Sequence, residues 1–228
     1  MIVARFVAVV VLGYLLGSIP FGVLIARRKA RVDVRQYGSG RTGATNVLRT
    51  VGGRAAAMVA ILDLLKGVLA VVFAGLIIDG SYLMIDGFGV GALAAQVLAA
   101  LAAMAGHIWP IFAKFHGGRG VSTFFGGLIV LCPAAALFGG EILIIGAGLT
   151  KFASLGSIVG AVGTYAILVP LTIMNGFPTE LIAFALIGTI IVVIMHRSNI
   201  IRLMSGKERR LGDKVKEVNS PSSTDSPE

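Results

Sequence analysis

Long apolar runs, broken by short polar segments, set the pattern of this chain. A membrane-spanning helix needs about 20 mostly apolar residues. The first run extends from Ile2 to Ala26, with Arg5 as its one charge. It is longer than the apolar core of a signal peptide, and no small-residue cleavage site precedes Arg27, so it reads as a retained helix. A second run covers Ala55 to Ile78, interrupted by Asp63 and Lys66, and a third covers Phe88 to Phe112. Val121 to Leu131 follows a polar stretch. Beyond Cys132 and Pro133 comes Ala134 to Leu149, with Glu141 inside it. Leu155–Met174 and Thr179–Met195 complete the set. Pro133 cannot donate a helix hydrogen bond, which favours two short helices there over one bent span. The pattern predicts an all-α integral membrane protein with seven transmembrane helices and short helices around Pro133.

The basic residues orient it. Eighteen of the 20 Lys and Arg fall in segments 27–54 and 113–120, at Lys151, and from Arg197 onward. With seven crossings these segments share one face, and the opposite turns hold Asp79, Asp86 and Glu180. Positive charge stays on the cytoplasmic side, which predicts an outside N-terminus and a cytoplasmic C-terminus. Residues 1–211 form the expected membrane domain. Residues 212–228 are rich in Ser, Pro and acid and read as a disordered tail.

Composition narrows the class. Charged residues make up 14% of the chain, against about a quarter in soluble domains, and mean hydropathy is +0.91. Both exclude an ordinary soluble enzyme. The net charge of +9 follows membrane topology and does not call for nucleic acid. One cysteine, Cys132, excludes an internal disulfide. Three scattered histidines, His107, His116 and His196, form no metal-ligand motif, so neither metal nor cofactor is expected.

Three polar clusters carry candidate chemistry. Gly38, Gly40 and Gly43 allow close backbone approach to a ligand, while Ser39, Thr42, Thr45 and Asn46 add neutral hydrogen-bonding groups. Arg41 and Arg49 add guanidinium forks suited to phosphate. The alternative is a tight membrane loop with ordinary positive-inside arginines. In the second cluster, Gly117, Gly118 and Gly120 surround Arg119 in a loop expected to be flexible, just before a helix whose N-terminus favours anions. Its alternative is an interfacial anchor around Trp109. His107 and His116 alone are weaker candidates. In the third, His196 and Asn199 share a face if the last helix continues, and a helix C-terminus favours a cationic His196. Asp63 and Lys66, three residues apart within a span, read as a structural ion pair. Gly13 and Gly17 permit close helix approach, and Pro20 is positioned to kink the first helix.

Together these segments resemble the bacterial PlsY family, the acyl-phosphate:glycerol-3-phosphate acyltransferases. The resemblance covers the chain up to about Gly212. It rests on GSIPFG at 17–22, GSGRTGATNVLRTVGG at 38–53, LDLLKG at 62–67, GHIWPIFAKFHGGRGVST at 106–123, KFASLGSI at 151–158 and HRSNIIRLMSGKERRLG at 196–212. The family usually has Asn in place of Arg41, Lys in place of Arg119, and often Thr in place of Lys207 beside Glu208.

The resemblance implies acyl transfer from acyl phosphate to the 1-hydroxyl of glycerol 3-phosphate. The products are lysophosphatidate and phosphate, the first step of phospholipid synthesis. It implies a site on the cytoplasmic face of the bacterial inner membrane and contact with the enzyme that supplies acyl phosphate. Carried over residue by residue, Ser39, Thr45 and Arg49 hold phosphate, with Asn46 in the same loop and Gly38, Gly40 and Gly43 shaping it. Arg119, among Gly117, Gly118 and Gly120, binds phosphate or steadies developing charge. His196 and Asn199 orient glycerol phosphate, and either His196 or the substrate's own phosphate accepts the hydroxyl proton. Asp63, Lys66 and Glu208 support the site from behind. A small-anion or phosphate-ester transporter is the rival class, but no pair of matching broken helices marks an inverted repeat.

With arginines neutralising phosphate in place of a metal, activity is expected to survive exhaustive EDTA treatment. Loss restored only by added magnesium would contradict this.

Overall fold

The structure is a computed structural model that describes residues 2–85 and 88–213. Asp86 and most of the expected disordered tail, from residue 214 on, lie outside the described residues. The helices run α1 (Ile2–Gly17), α2 (Phe21–Ala30), α3 (Ala44–Thr50), α4 (Gly53–Ile78), α5 (Ala92–Ile108), α6 (Val121–Leu131), α7 (Pro133–Thr150), α8 (Ala153–Asn175), α9 (Thr179–Met195) and α10 (Arg197–Met204). Five segments are long and apolar enough to cross a membrane: 2–30, 53–78, 92–113, 133–150 and 153–175. The α9 and α10 pair, bent by 60°, makes a sixth, and α6 is a shorter apolar helix. The break at Pro133 is present, with proline at the first position of α7.

Two expectations need correction, for the first run and the third. The first run is two helices, because Pro20 interrupts the backbone ladder between α1 and α2. The third run does not begin as helix at Phe88. Strands β1 (Leu83–Ile85) and β2 (Phe88–Val90) pair antiparallel, with Leu83 opposite Val90, before α5 starts at Ala92. Apart from this short strand pair the described fold is helical, as expected. The last span ends at Met195, as expected, and at His196 the axis turns into α10.

Small residues set the packing. In lipid, helices associate through close van der Waals contact more than through the hydrophobic effect. Gly13 and Gly17 of α1 lie against the backbone at Ala99 and Ala103 of α5, and Gly106 returns the contact against Tyr14 and Ser18. Gly67 of α4 and Gly126 of α6 do the same for that pair, as do Gly139 and Gly160 for α7 and α8. Between the helices, Phe124 stacks on Phe184 at 5.3 Å within a core that includes Val71, Met104 and Leu128.

This packing brings the four basic segments to one end. Arg35 donates to the Ala113 carbonyl at 3.1 Å, and Thr42 N–H to the Gly117 carbonyl at 3.5 Å. Leu211 N–H reaches the Lys151 carbonyl at 2.8 Å. At the other end, Arg5 donates to Ser81 Oγ beside the hairpin at 3.0 Å.

A side chain at Gly17 would enter the Ala103 backbone, which cannot yield as a flexible side chain would. Gly17→Leu is expected to destabilise the bundle by at least about 1–3 kcal/mol. Gly140→Ala, which meets no neighbour within 4 Å, should leave the detergent-solubilised melting temperature nearly unchanged.

Candidate active site

The loop between α2 and α3 is built around its own polar side chains. Asp33 accepts from Arg35 at 2.6 Å and from Arg27 at 2.8 Å, and these bonds hold its carboxyl well below the usual carboxylate range. Asn46 is buried, and its amide nitrogen lies within hydrogen-bond distance of the carbonyls of Val34, Tyr37 and Arg41. Its Oδ1 accepts from Ser39 N–H at 3.1 Å. These bonds engage both ends of the amide, so Asn46 shapes the loop while also lining the cavity. Gly38 and Gly40 turn the loop at φ +59° and +67°, in the left-handed region that favours glycine.

The Gly117–Gly120 loop is also not loose, contrary to expectation. Gly117 and Gly118 are buried, and their N–H groups donate to the carbonyls of Ile108 and His107 at 3.2 and 3.0 Å. Arg119 is thereby presented at the start of α6. The segment after α10 folds back as a strap. Glu208 Oε1 accepts from Ser154 at 2.8 Å and Asn199 at 2.6 Å, and Oε2 pairs with Arg202 at 2.8 Å. Although burial alone would raise its pKa, these bonds lower it overall. Arg49 donates to the carbonyls of Arg209 and Arg210 in the same strap.

These parts enclose one cavity of about 780 Å³. Ser39, Arg41, Gly43, Thr45, Arg49, Gly118, Arg119, His196, Asn199 and Glu208 form its polar lining, with Asn46 and Asp63 in the wall. Its apolar side comes from α4, α6 and α7, including Ile61, Leu64, Phe125, Leu137 and Ile144. Gly38, Gly40, Gly117, Gly120 and Lys66 do not line it. The three clusters read from sequence therefore converge, although about 160 residues separate Ser39 from Asn199. Ser154 of α8 and His107 of α5 also belong to the site. Ser154 had no signal beyond its place in the KFASLGSI segment, and His107 only a weak one. His116 is exposed and lies outside the cavity lining. Glu141 lies on the α7 side of the cavity.

The electrostatics favour an anion. Burial, with help from Arg41, pushes the Arg119 guanidinium down to about 10, which still leaves it charged at neutral pH. Arg41 and Arg49 are lowered by burial and by neighbouring arginines. Arg49 Nε, Arg119 Nε and Asn199 Oδ1 are buried without a hydrogen-bond partner among the described residues, and buried polar atoms are normally hydrogen-bonded. His196, the first residue beyond α9, is lowered to about 4 by burial and by Arg119. It is neutral, not the cation expected of a helix end. Its Nδ1 lies 2.8 Å from the Val192 carbonyl. That contact requires the proton on Nδ1 and leaves the lone pair on Nε2. No group of three or more His, Cys, Asp or Glu side chains among the described residues is arranged to hold a metal.

A cavity of this kind, with cations at one end and an apolar wall along a bundle of membrane-length helices, belongs to a membrane enzyme handling an anionic head and a fatty chain. Residues 7–206 match the family model for glycerol-3-phosphate acyltransferase. The chain belongs to the glycerol-3-phosphate acyltransferase family. It is 62% identical to glycerol-3-phosphate acyltransferase 3 of Dehalococcoides mccartyi (strain ATCC BAA-2266 / KCTC 15142 / 195), over 94% of this chain and 99% of that protein. It is 43% identical to a glycerol-3-phosphate acyltransferase of Halalkalibacterium halodurans, over 88% and 93% respectively. Its fold is similar to the crystal structure of PlsY (YgiH), an integral membrane glycerol 3-phosphate acyltransferase, in the glycerol 3-phosphate form. That match has a TM-score of 0.78 and 32% identity, and covers 91% of this chain and 96% of that one.

The lowered His196 sets a pH prediction. If its neutral ring is needed, kcat/KM should hold through pH 6.5 and fall only as pH drops toward about 4. A limb near 6.5 that His196→Gln abolishes would show that the ring titrates normally.

Proposed function

We propose that the protein transfers a fatty acyl group from acyl phosphate to the 1-hydroxyl of sn-glycerol 3-phosphate, at the cytoplasmic face of a bacterial inner membrane. The carrying observation is the single cavity in which Arg41, Arg49 and Arg119 meet an apolar wall. The chain crosses the membrane seven times, with α6 as the short span and α9 as the last. This count is supported by the meeting of all four basic segments at one end of the bundle. It puts the N-terminus outside and the C-terminus in the cytoplasm.

Both substrates bring phosphate to the arginines. The acyl chain lies along α4, α6 and α7, and its carbonyl sits beside Arg119. Ser39, Thr45 and Arg49 hold phosphate, while His196 and Asn199 orient the glycerol. The hydroxyl oxygen attacks the acyl carbonyl carbon, the carbonyl–phosphate oxygen bond breaks, and inorganic phosphate leaves with the bonding electrons. His196 Nε2 takes the hydroxyl proton, a role favoured by the hydrogen bond that fixes the other ring nitrogen. The donor is an activated mixed anhydride, so no covalent enzyme intermediate is required, and positioning and charge stabilisation do the remaining work.

Purified protein should convert labelled glycerol 3-phosphate to lysophosphatidate with acyl phosphate but not with acyl-CoA. Transport of the unchanged label into vesicles would favour the rival class. Arg49→Ala should weaken glycerol 3-phosphate binding by roughly ten- to a hundredfold, the loss of one charged hydrogen-bonding group. Unchanged kinetics in the folded variant would remove Arg49 from the site.

A further inference from the structure

We propose that His107 is a positioning residue for Arg119, held in place by the buried Asp63–Lys66 pair. The inference rests on the role given to Arg119 above. It gives a task to three motifs that the reaction itself does not use: the break after α1, the charged pair in α4 and the histidine ending α5.

Arg119 makes no side-chain hydrogen bond to protein among the described residues, and its Nε is buried without a partner. Its aim is therefore set by the backbone of its loop. That backbone hangs from the last turn of α5 through the Gly117 and Gly118 N–H groups, and the Gly117 carbonyl accepts from Thr42. Beneath the loop lies the imidazole of His107. A Cβ at Gly118 would collide with its Nε2, so the main chain one residue before Arg119 rests on the ring edge.

The ring is held from behind. His107 Nδ1 lies 3.4 Å from Asp63 Oδ1, which is also 2.8 Å from Lys66 Nζ. Lys66 donates onward to the Ile19 carbonyl at 3.1 Å, in the break between α1 and α2. Thr123 Oγ donates to the Asp63 carbonyl at 3.0 Å and ties in the first turn of α6. His107, Asp63 and Lys66 are each no more than 5% exposed. Ionisable groups buried in a membrane helix are costly and pair with one another. This pair also adjoins the reaction cavity. Here Asp63 and His107 both line it, and the loop that carries Arg119 rests on the ring. The path from Ile19 through Lys66, Asp63 and His107 to Gly118 thus joins the kink of the first span to the cation of the second anion site.

A double-mutant cycle on the full-length protein in lipid nanodiscs tests this, with an acyl phosphate of fixed chain length and saturating glycerol 3-phosphate. His107→Asn should keep the wild-type thermal midpoint and the KM for glycerol 3-phosphate, yet lower turnover by roughly ten- to a hundredfold, the scale of a small misplacement in a reacting site. In an Arg119→Ala background the same substitution should cost less than about twofold, because the residue through which it acts is gone. Asp63→Leu/Lys66→Met removes both charges together and avoids a lone buried ion. It should fold and show the same dependence on Arg119, and it serves where His107→Asn fails to fold. Full, independent losses in the Arg119→Ala background would overturn the positioning role. Wild-type protein that transfers no acyl group from acyl phosphate would overturn the functional reading itself.

Discussion

Arg41, Arg49 and Arg119 face a common cavity, and like charges held this close repel one another unless an anion lies between them. Their crowding reaches the neighbouring groups. The charge on Arg119 helps to keep His196 neutral, and Arg49 turns toward main-chain carbonyls of the strap. The carboxylates in the cavity wall do not discharge the cluster. Asp63 is committed to Lys66, Glu208 is held by Ser154, Asn199 and Arg202, and Glu141 stands on α7 among the apolar lining residues. Positive charge is left over at one end of an apolar cavity, where a phosphate with a fatty tail satisfies both halves at once.

Such a cluster needs a frame that resists it. That frame is backbone against backbone. Glycines on α1, α4, α6, α7 and α8 let helix axes approach until main chains touch, and this contact carries the bundle where lipid gives little hydrophobic drive. The loops then have little freedom. The α5 to α6 connection is hydrogen-bonded onto the end of α5, and the α2 to α3 connection is wound around Asn46. Glycine here serves fit more than mobility. Gly117 and Gly118 are small because His107 and Pro110 fill the space beside them, and they give Arg119 a fixed base.

Much of this was legible along the chain. Apolar runs mark the membrane-length helices within a few residues, and Pro133 and Pro20 mark real breaks because proline cannot complete the helix ladder. What was hidden depends on contacts between distant segments. The end of the last span at Met195 was legible, but the 60° turn into α10 beyond it was not, since no proline or glycine stands at His196. The strand pair at 83–85 and 88–90 is local, and the Asp86-Gly87 dipeptide between its strands was a hairpin signal in the sequence that the apolar pattern obscured. Asn46 and Ser39 look alike as polar loop residues. Only the fold shows that the Asn46 amide is bonded within the loop while the two residues share one cavity. The neutral state of His196 likewise arises from its burial in the fold and from Arg119, 77 residues earlier in the chain.

The arginine at 119, where the resembling family usually carries lysine, now has a physical setting. A lysine is a point charge on a flexible stem, whereas guanidinium is a planar fork whose nitrogens must be aimed together. Aiming needs a rigid base, and the loop supplies one through two main-chain hydrogen bonds and the ring beneath Gly118. The unpartnered Nε of Arg119 is the consequence: the fork is held by its backbone and not by other side chains. In the proposed reaction its donors stay available to a phosphate that binds and leaves within each turnover. A side chain tied to protein acceptors would have to break those bonds in every cycle. Fixing the backbone and leaving the guanidinium unbonded avoids that step.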